Sequence, residues 1–359
     1  MSKIAQTGST RLAFVDWTRG LAAVIMLQGH VFHSFAQKDT RDSSTYILSQ
    51  FVGGLPAVLF LFLTGLTLAF LMDGKERRGV SPLVRVVASL RRAGYLLGLA
   101  FLFRLQLWIF AWGTSPWTDL FRVDILNCMG VAIMLFSLMA LFTTAERVRL
   151  CFVLGLAVAG LSPLVSQMDW SGIHPFLWHY IAPDINSFSF FPWAAYLAFG
   201  MSGGSVLRLA GTHQVHRTMI WSALAGLSLL ATGQYFSSIP YSLYSRSEFW
   251  VDSPTLVLMN VGVTLLILSF AYLWIHSLPA SSWSWVAQIG TTSLLVYWVH
   301  IELVYGRWLW MWKEALTLTQ AAVVAVLVIV LMVTLSKAKT DWRDRQWTRR
   351  LQLAPEPAE

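Results

Sequence analysis

The chain has 359 residues, of which 56% are hydrophobic and only 12% are charged. Soluble domains carry roughly 25% charged residues, so this composition excludes an ordinary soluble protein and predicts a polytopic membrane protein. The net charge of +8 arises from basic residues in short loops, which fits membrane orientation better than nucleic-acid binding. The two cysteines, Cys128 and Cys151, lie in apolar segments and provide no disulfide framework.

Polar breaks divide the apolar sequence into segments of the length that crosses a bilayer, which predicts an all-α bundle of about ten transmembrane helices. The first segment is too long and too polar for a signal peptide, so we expect it to be retained. A basic tail at residues 337–359 follows a membrane domain at residues 1–336. The predicted spans are residues 12–36, 48–72, 93–112, 125–142, 150–166, 188–207, 219–236, 255–276, 285–305 and 315–336.

Lysine and arginine residues are distributed unevenly between the two sides of this bundle. With the N-terminus in the cytoplasm, 18 of the 26 fall in cytoplasmic segments and six on the other side. Cytoplasmic loops of membrane proteins are enriched in Lys and Arg. The bias therefore predicts that both termini are cytoplasmic.

The first span contains Asp16, Arg19 and His30 within its apolar run. At about 100° per residue, Arg19 and His30 point roughly 20° apart around the helix axis, and Asp16 and His30 about 40° apart. Ionisable residues in a span are costly and mark functional sites by default. We predict that this face carries the chemistry, with His30 as catalytic residue and Asp16 and Arg19 beside it. A buried His30 bonded to a carbonyl or to Glu302 is the structural alternative.

Polar residues of other spans are expected at the outer level of His30. Lipid does not tolerate such groups, so we expect them to face the interior of the bundle or a wet cavity. They are candidates for acceptor binding, and His300 and Glu302 are also candidate partners of His30. Hydrogen bonding between helices is the simpler role for the asparagines. These residues are His300, Glu302, Asn127, Asn260 and Trp193.

The segment after the second span, residues 73–92, is dense in positive charge. Together with Arg19 and Arg104 it predicts an electropositive inner vestibule, because guanidinium groups match phosphate oxygens. Arg91 and Arg92 are candidates for this donor site, and the alternative for them is anchoring of a helix end. The alternative for Arg19 is pairing with Asp16 alone. The sequence contains no glycine-rich phosphate loop and no convincing spacing of metal ligands, so we expect no metal.

A phosphate-binding inner side and a histidine on the outer side together indicate group transfer across a membrane. A phosphorylated donor would enter from the cytoplasm, and His30 would take a proton from an acceptor on the other side. Two alternatives stay open. Intramembrane Asp, Arg and His residues also mark secondary transporters, although no repeated halves are evident. A non-catalytic scaffold would leave the outer histidines unexplained.

The segment RLAFVDWTRGLAAVIMLQGH, residues 11–30, resembles the opening of the transmembrane acyltransferases. Arg19 and His30 fit the acyltransferase-3 pattern of an Arg, ten residues and a His. Closer similarity to the heparan-α-glucosaminide N-acetyltransferase branch lies in VDILNCMGVAIML at 123–135, FFPWAAYLAFGMSGG at 190–204 and GTTSLLVYWVHIELVYG at 290–306. The resemblance implies a single domain of about ten or eleven helices. It also implies transfer of an acyl group, commonly acetyl from acetyl-CoA, to a carbohydrate across the membrane.

The two branches disagree about the reacting residue. The lysosomal heparan enzyme carries Asn at the position of His30 and has its catalytic His further along, and His33 is the nearby second candidate here. The expected partners are acyl-CoA, a carbohydrate acceptor and the lipid bilayer, with no nucleic acid and with a homo-oligomer left open. The resemblance to bacterial proteins implies a bacterial inner membrane. O-transfer and N-transfer are both compatible with the sequence.

Overall fold

The computed structural model describes residues 13–113, 115–277, 279 and 283–352, with the backbone alone for 347–352. Leu12 of the first predicted span and residues 353–359 of the predicted tail lie outside the described residues. The regular elements are helices, with an isolated β-bridge between Ala36 and Leu316. The α-helices are α1 Ala13–Phe35, α2 Ser44–Gly53, α3 Leu55–Glu76, α4 Pro82–Phe110, α5 Ile125–Phe136, α6 Thr144–Ser166, α7 Pro175–Ile181, α8 Phe190–Ser238, α9 Pro254–Ser277, α10 Trp285–Thr291, α11 Ser293–Tyr305 and α12 Leu318–Gln352.

Within the described residues, six helical stretches are long and apolar enough to cross a membrane. The protein is therefore an all-helical integral membrane protein, as predicted. Each of the ten predicted spans falls mostly on helical residues, but the number ten and the orientation of the termini stay predictions. Helix α1 has 23 residues and is long enough to span, although its polar residues reduce its apolar character. The six stretches are Ser44–Glu76, Pro82–Phe110, Trp117–Leu141, Thr144–Ser166, Pro254–Ser277 and Leu318–Gln346.

Two predicted spans, residues 188–207 and 219–236, are joined in the 49-residue helix α8. The helix is interrupted at Gly211, where φ is 63° and ψ is −179°. This positive φ suits glycine, which has no Cβ to clash with the backbone. The interruption lies between the two predicted spans. The ninth predicted span is also interrupted, because Thr292 separates α10 from α11.

The described residues form two compact units. The first unit contains α1, α2, α10, α11 and α12, and its helices α1 and α10 touch backbone to backbone at two glycines. A Cβ added to Gly20 would lie 1.8 Å from the Val286 carbonyl oxygen, and one on Gly290 would lie 1.8 Å from the Asp16 carbonyl oxygen. Small residues allow such close approach of membrane helices. This contact fixes the part of α1 that carries Asp16 and Arg19.

A connecting segment, residues 306–317, joins α11 to α12 and binds the C-terminal end of α1. The Glu314 amide donates to the Ser34 carbonyl at 3.1 Å, and the Leu316 amide donates to the Phe35 carbonyl at 2.9 Å. The Glu314 carboxylate also pairs with Lys38 at 2.9 Å and Arg41 at 3.0 Å. These bonds hold the ends of α1 and α11 side by side.

The second unit contains most of α3 and helices α4 to α9. Helices α3 and α8 pack as closely as α1 and α10 do. A Cβ on Gly65 would lie 2.0 Å from the Leu197 carbonyl oxygen, and one on Gly200 would lie 1.9 Å from the Phe62 carbonyl oxygen. Gly65 therefore allows close helix packing, as small residues commonly do in membrane interfaces.

Candidate active site

Helix α1 carries the three polar residues that the sequence places on one face. The Arg19 guanidinium lies 3.6 Å from the Asp16 carboxylate, one helical turn away, and both side chains are mostly buried. Such i, i+3 pairs are neighbours on a helix surface. His30 lies three turns further along and is partly buried. The ion pair and the histidine therefore occupy separate depths of the same helix.

His30 meets His300 of α11. The Nδ1 atom of His30 lies 2.9 Å from the Nε2 atom of His300, which is a hydrogen-bond distance. The two rings also stack, with centroids 5.2 Å apart and an interplanar angle of 18°. His300 is fully buried. The first and ninth predicted spans thus bring two imidazoles into direct contact, across a sequence separation of 270 residues.

Backbone and aromatic groups hold this pair. The Nδ1 atom of His300 lies 2.8 Å from the Val296 carbonyl oxygen, one turn earlier in α11. The ring of Tyr297 packs edge-on against His300 at 5.7 Å. The ring of Tyr305 packs edge-on against His30 at 5.3 Å and lies 6.0 Å from the ring of His33. His33, the second sequence candidate, is exposed and lies one helical turn after His30.

Three residues around the pair escaped the sequence interpretation. Lys313 donates to the Ser34 hydroxyl at 2.8 Å and to the Val304 carbonyl, and it lies over the ring of Tyr305 at 5.4 Å. A lysine on the last carbonyls of a helix satisfies groups that the helix leaves unpaired. Burial lowers the pKa of Lys313 below its ordinary value. The sequence signal was weak, because Ser34 and Tyr305 end apolar helices and Lys313 stands in a tryptophan-rich loop.

Glu302 was predicted beside His300 and is buried. It follows His300 by two residues, so at about 100° per residue its side chain leaves α11 roughly 200° from that of His300. The two residues therefore do not share a helix face. A direct role of Glu302 toward His30 or an acceptor stays a prediction.

Two more predicted residues lie in the second unit, around the start of α5. The Asn127 side chain caps this helix by accepting from the Asp124 amide at 3.1 Å, and it donates to the Tyr180 hydroxyl at 3.0 Å. Arg104 of α4 forms an ion pair with the Asp124 carboxylate. Asn127 and Arg104 therefore have partners within the protein.

The other predicted acceptor residues form a second cluster within this unit. Asn260 of α9 donates to the Tyr196 hydroxyl of α8 at 3.0 Å, which joins the two helices. Trp193 packs against Tyr196 at 5.8 Å and against Phe188 at 4.9 Å. This contact matches the interhelical role that the sequence favours for Asn260.

The sequence of residues 11–242 matches the family described as heparan-alpha-glucosaminide N-acetyltransferase, catalytic. The match covers more than half of the chain and contains Asp16, Arg19 and His30. The protein belongs to this family. No curated protein matches the sequence.

Membership of the heparan-alpha-glucosaminide N-acetyltransferase family makes the protein a membrane acetyltransferase. The matched region ends before α9, so His300, Glu302 and Asn260 lie beyond it. The contact between His30 and His300 therefore joins the matched region to a helix beyond it. Among the described residues, no group of three or more His, Cys, Asp or Glu side chains is arranged to hold a metal ion.

Acetyltransferases of this family use acetyl-CoA, and the predicted donor residues include Arg91 and Arg92. Both lie on α4, where Arg91 is exposed and Arg92 is partly buried. Within the described part of the chain, neither forms an ion pair. Other basic residues of the segment 73–92 are engaged with acidic ones. Arg77 contacts Asp73 at 2.9 Å, and Arg85 contacts Glu76 at 3.0 Å.

Proposed function

We propose that the protein transfers an acetyl group from cytoplasmic acetyl-CoA to a carbohydrate hydroxyl or amine at the outer side of the membrane. The observation that carries this proposal is the His30–His300 pair in a member of an acetyltransferase family. A general base must reach the proton that it removes and must be free to accept it. His30 is the partly exposed member of the pair, so it is the one that an acceptor can approach.

The transfer is direct in this proposal. As the acceptor oxygen or nitrogen attacks the thioester carbonyl, its proton passes to the His30 ring, and the carbon–sulfur bond breaks. The protonated ring then returns the proton to the departing thiolate of coenzyme A. We favour direct transfer over an acyl-enzyme because no serine or cysteine nucleophile with an adjacent base was evident in the sequence. The Cys128 and Cys151 side chains are also buried, and buried structural cysteines are unreactive.

The other predicted residues take supporting roles in the proposal. Arg19, Arg91, Arg92 and Arg104 attract the phosphates of coenzyme A, and Asp16 orients Arg19. An ion-paired arginine retains further donors, because its guanidinium carries five N–H groups. His300, Glu302, Asn127, Asn260 and Trp193 line the acceptor side.

The proposal includes an arrangement in the membrane. Residues 1–336 form one acyltransferase-like domain of ten spans in the bacterial inner membrane, and residues 337–359 form a cytoplasmic basic tail. The excess of basic residues on the side of the termini supports this orientation. It places Arg91 and Arg92 on the donor side and His30 toward the acceptor side.

The first test replaces His30 by Ala in the full-length protein. We expect acetyl transfer to a panel of glycans to fall by on the order of 10²-fold or more, because the acceptor loses its base. Acetyl-CoA binding to the purified protein should persist, because His30 does not hold the donor phosphates. The measurements are the rate of acetyl transfer and the equilibrium binding of acetyl-CoA.

The matched control is His33→Ala, which removes the exposed histidine one helical turn after His30. Its activity should stay within a few-fold of the wild type, and both variants should show the thermal unfolding of the parent. Unchanged activity in His30→Ala would remove His30 from the mechanism. Loss of activity in His33→Ala alone would transfer the role of base to His33. A wild-type protein that binds no acyl-CoA would favour the transporter alternative.

A further inference from the structure

The hydrogen bonds around His300 determine which of its nitrogens carries a proton. Its Nδ1 atom lies 2.8 Å from the Val296 carbonyl oxygen, which can only accept a hydrogen bond. The hydrogen must therefore reside on Nδ1 of His300. In a neutral imidazole the other nitrogen, Nε2, then carries the lone pair.

His300 is expected to be neutral because of its surroundings. Its side chain has no exposure to solvent. Within the described part of the chain, no carboxylate contacts the ring, and its neighbours are a carbonyl, a tyrosine ring and His30. A buried cation without a partner is strongly disfavoured. The alternative in which His300 is charged and donates to His30 is thus the less stable one.

We infer that His300 is a positioning residue that selects the tautomer of His30 and so makes the Nε2 atom of His30 the base. Because Nε2 of His300 accepts, the Nδ1 atom of His30 at 2.9 Å must donate. A neutral His30 that carries its hydrogen on Nδ1 has its lone pair on Nε2. Among the described residues, no protein group forms a hydrogen bond with that atom. This inference rests on the proposed function, since it names the atom that takes the acceptor's proton.

The same bond also favours the protonated state of His30 during transfer. When Nε2 of His30 takes the proton from the acceptor, the ring becomes an imidazolium and its Nδ1–H bond to His300 becomes charge-assisted. Such bonds are roughly twice as strong as neutral ones. His300 keeps its own proton on Nδ1 throughout, and Val296 holds that proton in place. His300 thus orients His30 as a carboxylate orients the histidine of other acid–base sites, without placing a negative charge in the membrane.

The decisive experiment is ¹⁵N NMR of the wild-type protein labelled at its eight histidines and purified at neutral pH. Protonated and unprotonated ring nitrogens have well-separated ¹⁵N shifts, and the signals of His30 are assigned by their loss in His30→Ala. We expect a protonated Nδ1 and an unprotonated Nε2 for His30. A protonated Nε2 would overturn the inference. This measurement needs no substrate, so it tests the tautomer even if no acetyl transfer is found.

Two variants of His300 connect the tautomer to catalysis. His300→Leu removes the acceptor, so we expect the Nδ1–H tautomer of His30 to lose its dominance and kcat to fall by on the order of 10²-fold, with KM nearly unchanged. His300→Gln retains an acceptor oxygen and should restore both the tautomer and activity to within roughly tenfold of the wild type. An unchanged His30 tautomer in His300→Leu would overturn the inference. Absence of transfer in the wild type, with the expected tautomer, would instead contradict the proposed function.

Discussion

At the scale of single residues, several charged side chains are buried and paired with groups of opposite charge. Arg147 is fully buried, yet it contacts the Glu76 carboxylate at 2.8 Å and the Phe142 carbonyl oxygen at 2.6 Å. Asp73 binds Arg208 at 2.5 Å and the Thr144 hydroxyl at 3.0 Å. Removing one partner of a buried pair is far more damaging than losing an exposed pair, because an unpaired charge stays behind.

Arg147→Met should therefore strongly destabilise the second unit. The change removes one of the two arginines that pair with Glu76 and leaves the Phe142 carbonyl without its donor, and we expect a loss of about 1–3 kcal/mol. Thermal unfolding of the purified protein in one detergent measures the effect. Arg78→Met is the matched control, because Arg78 is exposed and donates only to the Gly74 carbonyl. Equal losses in the two variants would contradict the structural role of Arg147.

The sequence predicts isolated polar residues in apolar spans better than it predicts their partners. His30 was identifiable because a histidine in a span is expensive, and His300 for the same reason. The topology predicted a common depth for the two histidines, but their direct contact depends on the register between α1 and α11, which short-range patterns do not specify. The pairing of Arg77 and Arg85 with acidic residues of α3 was likewise not evident. The sequence shows the basic residues of this segment, whereas only the structure shows which acidic residues neutralise them.

Close backbone contacts organise the molecule at the scale of helices. Gly290 of α10 lies against the backbone of α1, and its Cβ position would overlap the Asp16 carbonyl oxygen. This contact positions the face that carries the Asp16–Arg19 pair. Association of membrane helices relies on such packing because lipid provides no hydrophobic drive between them.

Gly290→Ala should separate α1 from α10. Its new methyl group would lie 1.8 Å from a backbone oxygen, so the helices must shift, and we expect a destabilisation of about 1–3 kcal/mol. Gly94→Ala is the control, because Gly94 is an exposed helical glycine with nothing within 4 Å of its Cβ position. Alanine at such a site stabilises a helix by roughly 0.5–1 kcal/mol. Unfolding temperatures that change in the same direction would refute the close contact.

Helices were more predictable from the sequence than their interruptions. Apolar length alone located the spans, because backbone groups in lipid must be satisfied within a helix. The break at Thr292 was missed, because the apolar residues on both sides of the short polar stretch 291–293 were assigned to one span. The polar residues 208–218 suggested a loop between two spans, whereas the structure has helical residues on both sides of non-helical backbone at Gly211.

The distribution of charge is the property that connects the whole molecule to its membrane. In the predicted topology, basic residues are concentrated on the side of the termini. The last helix continues beyond its apolar part into the basic residues after 336. This pattern was available from the sequence, because it depends on composition rather than on contacts. The internal packing of each unit was not available from the sequence, because helices such as α1 and α12 meet only after the chain has folded.

Reporter fusions at Asp39 and Lys75 test the arrangement of the whole chain. The apolar stretch Ser44–Glu76 begins after Asp39 and ends one residue beyond Lys75, so a single crossing separates the two positions. We expect a periplasmic reporter to be active at Asp39 and a cytoplasmic reporter to be active at Lys75, because Lys75 begins the cluster of basic residues that stays inside. Activity of the same reporter at both positions would contradict the crossing. Reversed activities would place His30 on the cytoplasmic side, and the acceptor would then have to be cytoplasmic as well.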